Sequence, residues 1–490
     1  MANYLALDLG AESGRGVLGK LEGDRLEIQE VHRWANRPAA LPDGIHWDIL
    51  GQFNEIKTAI AAAGRHQASP LQGIAVDTWG VDYALLDQRG DLLGVPFHYR
   101  DHRTDGVMDR VFSQVSKEEI FNWTGIQFMQ LNTLFQLAAA REQNSPALDA
   151  AHRLLFLPDL FHYWLSGEQT CEFTVASTSQ LYNPQTSGWA VELMDRLRIP
   201  SHLFLPVTPP GVPIGKLRPA IAEETRAGDV PILTVGCHDT ASAVAAVPAI
   251  GDDFIYLSSG TWSLMGVELA RPLISPEALA ANFTNEGGVA HTIRFLKNIM
   301  GLWVVQECRR SWARQGHEYS YGELTTLAAA AEPFQHFINP DDPSFLAPPD
   351  MPGAIIAYCD RTGQGRPAGP GPTIRACLEG LAFQYRENVA RLESLVGRSL
   401  PTLHIVGGGV QNRLLCQFAA NATGKTVVAG PVEATAAGNL LVQAMARSEI
   451  GSLRDLRHIV RNSFPVEEYT PFETAAWEEA WGRWRGCVGV

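Results

Sequence analysis

Cysteine is scarce in this chain: seven residues in 490, at positions 171, 237, 308, 359, 377, 416 and 487. None forms a CxxC pair or a Cys/His cluster, which argues against a structural zinc. Scattered thiols in odd number fit reduced, mostly buried side chains in a cytosol. Cys359 and Cys377 bracket a loop-like stretch, and spacing leaves their pairing open. Positive charge is also short. Lys and Arg number 39 against 53 Asp and Glu, for a net charge of −14. The basic face that nucleic acid or an anionic membrane requires is therefore not expected. A nucleotide is not excluded, because a few backbone amides and a metal can hold one locally. No apolar run reaches the length of a membrane span. The first residues lead into a strand pattern with no basic leader, so a cytoplasmic protein is expected.

What is present is an ordinary globular composition, with 46% hydrophobic and 19% charged residues. A chain of 490 residues exceeds what one core supports, so two or three domains are expected. The start, YLALDLGAESGRGVLGKL, reads as an apolar strand, a polar turn and a second strand, with further turn signals at Gly19 and Gly23-Asp24. FNEIKTAIAAAGR reads as a helix. GIAVDTWGVDYALLDQRGDLLG is a second strand-rich unit with a turn at Gln88-Arg89-Gly90. Residues 105–205 read as mainly helical, and PVTPPGVP (206–213) as an extended crossing segment. After a boundary near 245–252 the opening pattern restarts: FIYLSSGTWSLMGVEL has the form of the first hairpin. This weak repeat indicates two similar halves. Residues 339–352 and 360–372 read as loops, and WEEAWGRWRG as a helix packing its tryptophans. The division expected is 1–245, 252–445 and a helical tail, 446–490.

Several polar stretches could carry chemistry. Asp8 closes an apolar strand and precedes Gly10, Ala11, Glu12, Ser13, Gly14 and Arg15. Such a hairpin can turn amides toward phosphate oxygens, and the aspartate can hold a cation; an ordinary turn aspartate is the plain alternative. Ser258-Ser259-Gly260-Thr261 repeats this form with hydroxyls. Val406-Gly407-Gly408-Gly409-Val410-Gln411-Asn412 puts three glycines between a strand and a helix starting at Asn412, which allows close approach of a ligand or a plain tight turn. Gly424-Lys425-Thr426 only imitates a P-loop: Ala419 stands where that motif needs glycine, and a helix precedes it, so Gly424 reads as a helix C-cap. In Gly236-Cys237-His238-Asp239-Thr240, Asp239 reads as a helix N-cap or as a general base beside a helix terminus. Asp77-Thr78-Trp79-Gly80-Val81-Asp82 and His98-Tyr99-Arg100-Asp101-His102-Arg103 mix aromatic, acidic and basic groups in the manner of a sugar grip, or are solvated loops.

Taken in order, these runs resemble the FGGY carbohydrate kinases of the actin and hexokinase superfamily. The likeness spans nearly the whole chain. The runs that carry it are DTWGVDYALLD (77–87), YRDHRT (99–104), CHDTASAV (237–244), YLSSGTWSLMG (256–266), NFTNEGG (282–288), LKNIMGLWVVQ (296–306), IVGGGVQN (405–412) and AGPVEATAAGN (429–439). They are most similar to the branch acting on L-rhamnulose. The resemblance implies an α/β fold of two RNase-H-like domains with an interdomain cleft. It implies ATP and Mg2+ as cofactors and a small ketose as partner, in a monomer or homodimer. Asp239 would be the base. Trp79, Gly80, Asp82, Arg100, Asp101, His238, Thr240 and Asn298 would contact sugar. Ala11, Glu12, Ser13, Gly14, Arg15, Thr261, Gln306, Gly408 and Asn412 would contact ATP, and Asp8 would orient the metal. Alternatives are a kinase for L-fuculose or another ketose, and a nucleotide-gated binding module or chaperone-like ATPase.

Overall fold

The computed structural model describes residues 2–66 and 70–488. It falls into two compact units, Met1–Ala246 with Glu268–Leu296 and Ala434–Ser463, and Val247–Val267 with Lys297–Glu433 and Phe464–Val490.

The first unit is built on strands β1 (Ala2–Leu9), β2 (Ser13–Glu22), β3 (Arg25–Ala35), β4 (Leu71–Thr78), β5 (Pro213–Lys216) and β6 (Pro231–Leu233), in the order β5-β6-β4-β1-β2-β3. β1 is antiparallel to β2 and parallel to β4. The helix Ile49–His66 packs on β2 and β3 on one face, and a Cβ on Gly16 would meet the Ala59 methyl at 2.7 Å. The helix Ala434–Ala446 covers β1 and β4 on the other, with Leu440 over Gly19 and Gln443 over Gly73. Strands covered on both faces read as continuous apolar runs, and β1 is buried along its whole length. A carboxylate in such a strand therefore stands out. Two occur here, both near strand ends: Asp8 and Asp77 are partners in the parallel register of β1 and β4. Ligands of open α/β sheets collect at those carboxyl ends.

The second unit contains β7 (Phe254–Ser259), most of β8 (Trp262–Leu269), β9 (Thr402–Val406), β10 (Thr426–Ala429) and β11 (Glu467–Tyr469). β7 is antiparallel to β8 and parallel to β9, and β9 is parallel to β10. The local order β8-β7-β9 repeats β2-β1-β4, so the sequence repeat is a repeat of structure. The long helix Pro370–Val396 packs on Arg413–Thr423, and Thr474–Val488 packs on the latter in turn. Trp477 and Trp484 of that last helix are buried, with ring centroids 5.2 and 5.8 Å from Phe383. Gly424 caps Arg413–Thr423 in the left-handed conformation at φ 67°. Residues 446–490 divide between the units, since Leu453–Ser463 packs with the first and Thr474–Val488 with the second.

One expectation needs correction, and one pairing that spacing left open is decided. The stretch 360–372 is a loop only between its ends, because Met351–Arg361 and Pro370–Val396 are helices. Cys359 and Cys377 lie on those two helices and do not pair: all seven cysteines are free thiols. Among the described residues no helix is long and apolar enough to cross a membrane.

Candidate active site

Three carboxylates gather at the carboxyl ends of β1 and β4. Across the hairpin from Asp8 stands Arg15, whose Nε and Nη2 donate to Asp8 Oδ2 at 2.9 and 2.7 Å. Asp77 is fully buried. Its Oδ2 accepts from Asn439 Nδ2 at 2.5 Å, and Oδ1 has no partner among the described residues. Burial pushes Asp77 well above the usual carboxylate range, and the charges of Asp8 and Asp239 push the same way. Asn439 reaches this place because Gly438 lets its helix touch Ser242: a Cβ there would land on the Ser242 carbonyl. Asn439 is itself fixed by Gln443, which donates to its Oδ1 at 2.7 Å.

Asp239 opens the short helix Asp239–Ala245. The N-cap position belongs to His238, whose side chain makes no capping bond, so the N-cap reading of Asp239 is corrected by one residue. Its Oδ1 accepts from the backbone N and Oγ1 of Thr240 at 2.5 and 3.1 Å. Its pKa is raised, by burial first and by Asp8, with His238 opposing; 29% of its side chain still reaches solvent. The segment before it hangs from β4 and a buried acid. Thr78 N donates to Cys237 O at 2.9 Å, and His238 N to Thr174 Oγ1 at 3.0 Å. Thr174 Oγ1 in turn donates to Glu172 at 2.6 Å. Burial lifts Glu172 to about 7.

The loop Trp79–Asp82 holds a backbone outlier. Val81 has φ 67°, a costly conformation for a β-branched residue. It persists because Val81 N donates to Thr178 Oγ1 at 3.0 Å and Val81 O accepts from Thr133 Oγ1 at 2.6 Å. Thr178 also lies 2.9 Å from where a Cβ on Gly80 would sit. Asp82 points inward. Its Oδ2 accepts both indoles, Trp47 Nε1 at 2.6 Å and Trp79 Nε1 at 2.9 Å, and Oδ1 accepts Gln136 Nε2 at 2.9 Å. The two indole rings lie 4.0 Å apart, with His98 stacked at 4.1 Å on Trp47. Burial raises Asp82 to about 6. Asp101 is likewise turned to backbone, accepting from Ile45 N and Arg103 N at 2.8 and 2.9 Å. Arg100 is half-buried, with its guanidinium 5.3 Å from the Tyr99 ring.

The turn between β1 and β2 is closed by Gly10 N donating to Ser13 O at 3.0 Å. Asn36 N donates to Glu12 O at 2.9 Å, and Asn36 Nδ2 to Gly10 O at 3.0 Å. Ala11, Glu12 and Ser13 are half-buried. Gly14 is a glycine because the Trp34 ring occupies the place of its side chain.

In the second unit, the hairpin turn at Gly260 and Thr261 anchors the helix Trp303–Arg314. Leu302 N donates to Gly260 O at 3.0 Å and Trp303 N to Thr261 O at 3.2 Å. Gln306 lies in the first turn of that helix, and its Oε1 is buried without a partner among the described residues. The three glycines after β9 differ. Gly407 has φ 87°, a Cβ on Gly409 would collide with the Ser259 side chain, and a Cβ on Gly408 would meet nothing within 4 Å. Asn412 caps the next helix, its Oδ1 accepting from Leu415 N at 3.0 Å. Asn298 is half-buried on the strand Ile293–Met300, beside Lys297, which burial lowers to about 8.

Sequence reasoning missed the pairing of Asp77 with Asp8 and the part played by Asn439. The signal was available in that GIAVD, like LALD, is an apolar strand ending in aspartate.

The model of the FGGY carbohydrate kinase amino-terminal domain matches residues 3–246, and that of the carboxy-terminal domain matches 255–447. A protein of Bacteroides thetaiotaomicron named rhamnulokinase is 43% identical over 486 residues, covering 99% of both chains. A rhamnulokinase of Bacillus subtilis is 40% identical over 471 residues, covering 96% of this chain and 95% of its own. Among solved structures, a ligand-bound xylulose kinase from Lactobacillus acidophilus superposes with a TM-score of 0.81 at 15% identity, covering 100% of this chain and 99% of its own. At that identity the likeness bears on fold alone.

Proposed function

The chain belongs to the FGGY family of carbohydrate kinases, and from that premise we propose that it transfers the terminal phosphoryl group of ATP to the C1 hydroxyl of L-rhamnulose, in rhamnose catabolism. The observation that carries the substrate is the breadth of the match: proteins named rhamnulokinase are 40 to 43% identical across at least 95% of this chain. L-Fuculose is the nearest alternative, and no relative named above points to it.

In this reading Asp239 accepts the C1 hydroxyl proton as that oxygen attacks phosphorus. Its raised pKa supports the role, because the basicity of a carboxylate increases with its pKa. Phosphoryl transition states are loose, so most acceleration comes from positioning and charge neutralisation. Trp79, Gly80, Arg100, His238, Thr240 and Asn298 contact the sugar. Asp82 and Asp101 act behind them, holding the indoles and the loop backbone. The turn 11–15, Thr261, Gln306 and Gly408 hold the nucleotide, and Asn412 shapes the glycine turn. The carboxylates fit a magnesium ion: Asp77 Oδ1 is buried and has no partner among the described residues, beside Asp8. Among the described residues no group of three or more His, Cys, Asp or Glu could cage a metal alone, and magnesium normally shares one or two carboxylates with substrate phosphates. When bound, it supplies neutralisation of phosphate charge. We assign sugar binding mainly to 1–245 and nucleotide binding mainly to 252–445, in a cytoplasmic monomer or homodimer.

The test is ADP release with L-rhamnulose, L-fuculose, L-xylulose, D-xylulose and glycerol. L-Rhamnulose should give the highest kcat/KM. A higher value for another acceptor, or ATP hydrolysis indifferent to sugar, overturns the reading.

A further inference from the structure

Resting on the kinase reading, we propose that Arg294 and Glu286 are positioning residues that set the tautomer of His238, so that its Nε2–H faces the reacting carboxylate. The two come from one hairpin, where Glu286 and Arg294 are cross-strand partners between Thr284–Gly287 and Ile293–Met300. Arg294 is fully buried. Its Nε donates to Gly287 O at 2.7 Å, and Gly287 N donates to Ser177 Oγ at 2.7 Å, which anchors the hairpin end. The Arg294 Nη2 hydrogen points at His238 Nδ1, 3.0 Å away. A guanidinium has no acceptor, so Nδ1 receives this bond with its lone pair. In a neutral imidazole the proton then sits on Nε2, which lies 3.5 Å from Asp239 Oδ1.

Glu286 makes this a choice. Its Oε2 lies 3.2 Å from Arg294 Nη2 and 3.3 Å from His238 Nδ1. The carboxylate balances the buried guanidinium, and it also offers the competing pair Nδ1–H to Oε2. Arg294 decides between them by occupying Nδ1. The chemical consequence concerns proton traffic. A histidine protonated on Nε2 can donate to a sugar oxygen or to Asp239, and it cannot take the proton of the attacking hydroxyl at that nitrogen. Of this histidine–aspartate pair, Asp239 is left as the acceptor. This gives a role to the run NFTNEGG and to Arg294, which the catalytic and binding assignments leave without one.

The test is long-range 1H–15N correlation spectroscopy on the full chain labelled with 15N-histidine, near neutral pH without substrate, with His238→Gln used to assign the signal. The wild type should show Nδ1 unprotonated and Nε2 protonated. Arg294→Met should move the proton to Nδ1, where Glu286 receives it, and raise the sugar KM about tenfold, the loss of one good hydrogen bond. Glu286→Gln should leave Nδ1 unprotonated. A protonated Nδ1 in the wild type or in Glu286→Gln overturns the proposal, as does a folded Arg294→Met with unchanged tautomer and KM. If Arg294→Met does not fold, the wild-type and Glu286→Gln spectra decide alone. The tautomer is read without sugar, so a failed substrate panel leaves this result standing and the reverse holds too.

Discussion

Gly407, Gly408 and Gly409 make a sharp test, because each should fail differently when replaced by alanine. At Gly407, φ is 87°, and an L-residue held in the left-handed region costs about 1–2 kcal/mol. At Gly409 the new methyl would lie 2.6 Å from Ser259 Cβ and 3.0 Å from its carbonyl oxygen. Those atoms move only with the strand, so overpacking of about 1–3 kcal/mol is expected. At Gly408 nothing lies within 4 Å. Alanine there should leave the fold unharmed and add about 0.4–1 kcal/mol through the unfolded chain. That open space has a purpose only if a ligand enters it, and a methyl too close to a ligand costs about 1–3 kcal/mol, roughly tenfold or more in KM. The assay pairs thermal unfolding with the KM for ATP at saturating sugar. Gly407→Ala and Gly409→Ala should lower the midpoint, while Gly408→Ala should hold or slightly raise it and raise the KM for ATP. A Gly408→Ala enzyme as unstable as its neighbours would refute the packing argument. One with wild-type stability and wild-type KM would refute the placement of nucleotide at this turn.

Asp239→Asn should lower kcat by a factor of about 10² or more, the usual contribution of a general base, and a folded variant turning over normally would remove Asp239 from its role. In the wild type the acid limb of kcat/KM should lie above 3.8, the ordinary value, since Asp239 is raised from it; a limb at the ordinary value would count against the burial. Glu172 offers a stability test. Its pKa rises from 4.5 unfolded to about 7 folded, so the native state binds the extra proton between those values. Its stabilising contribution is complete below 4.5 and is lost as pH rises through about 7. Relative to Glu172→Gln, the wild type should lose up to about 1.4 kcal/mol per pH unit across that window and run parallel above it, as read from unfolding midpoints against pH.

The strands and their repeat were legible because an apolar run closed by a polar turn is a local pattern, and both hairpins carry it within twenty residues. The direction of a loop carboxylate is not local. Asp82 resembles a sugar ligand in DTWGVDY, yet beside the local Trp79 its partners stand 35 residues before it and 54 after it, at Trp47 and Gln136. Asp101 has the same history, with Ile45 far upstream. Asn412, expected among the nucleotide contacts, also caps its helix through a bond from Leu415 N, which the run of glycines before it does not announce. The division of residues 446–490 was hidden for a related reason. Arg457 is nearly buried and makes an ion pair with Glu268 and a bond to Val244 O, contacts that no linear spacing announces.

The same logic explains why the site concentrates charge in one unit. Two aspartates in register on adjacent parallel strands repel each other, and burial adds to the cost. Arg15 donates twice to Asp8 Oδ2, while on Asp77 its charge is the least of the causes at work. Asp77 accepts a hydrogen bond from the neutral amide of Asn439 and is still pushed upward. The charge of Asp8 also raises Asp239, so a single residue near the end of β1 disfavours ionisation at both other carboxylates. A site strained in this way gains most from a cation and least from a bare triphosphate. At its own hairpin the second unit presents Ser258, Ser259, Gly260 and Thr261, with Gly408 open beyond β9. Hydroxyls, amides and space accept phosphate without adding charge. The two hairpins share one strand plan and differ in chemistry, with Asp8 and Arg15 on the first and hydroxyls with a glycine on the second.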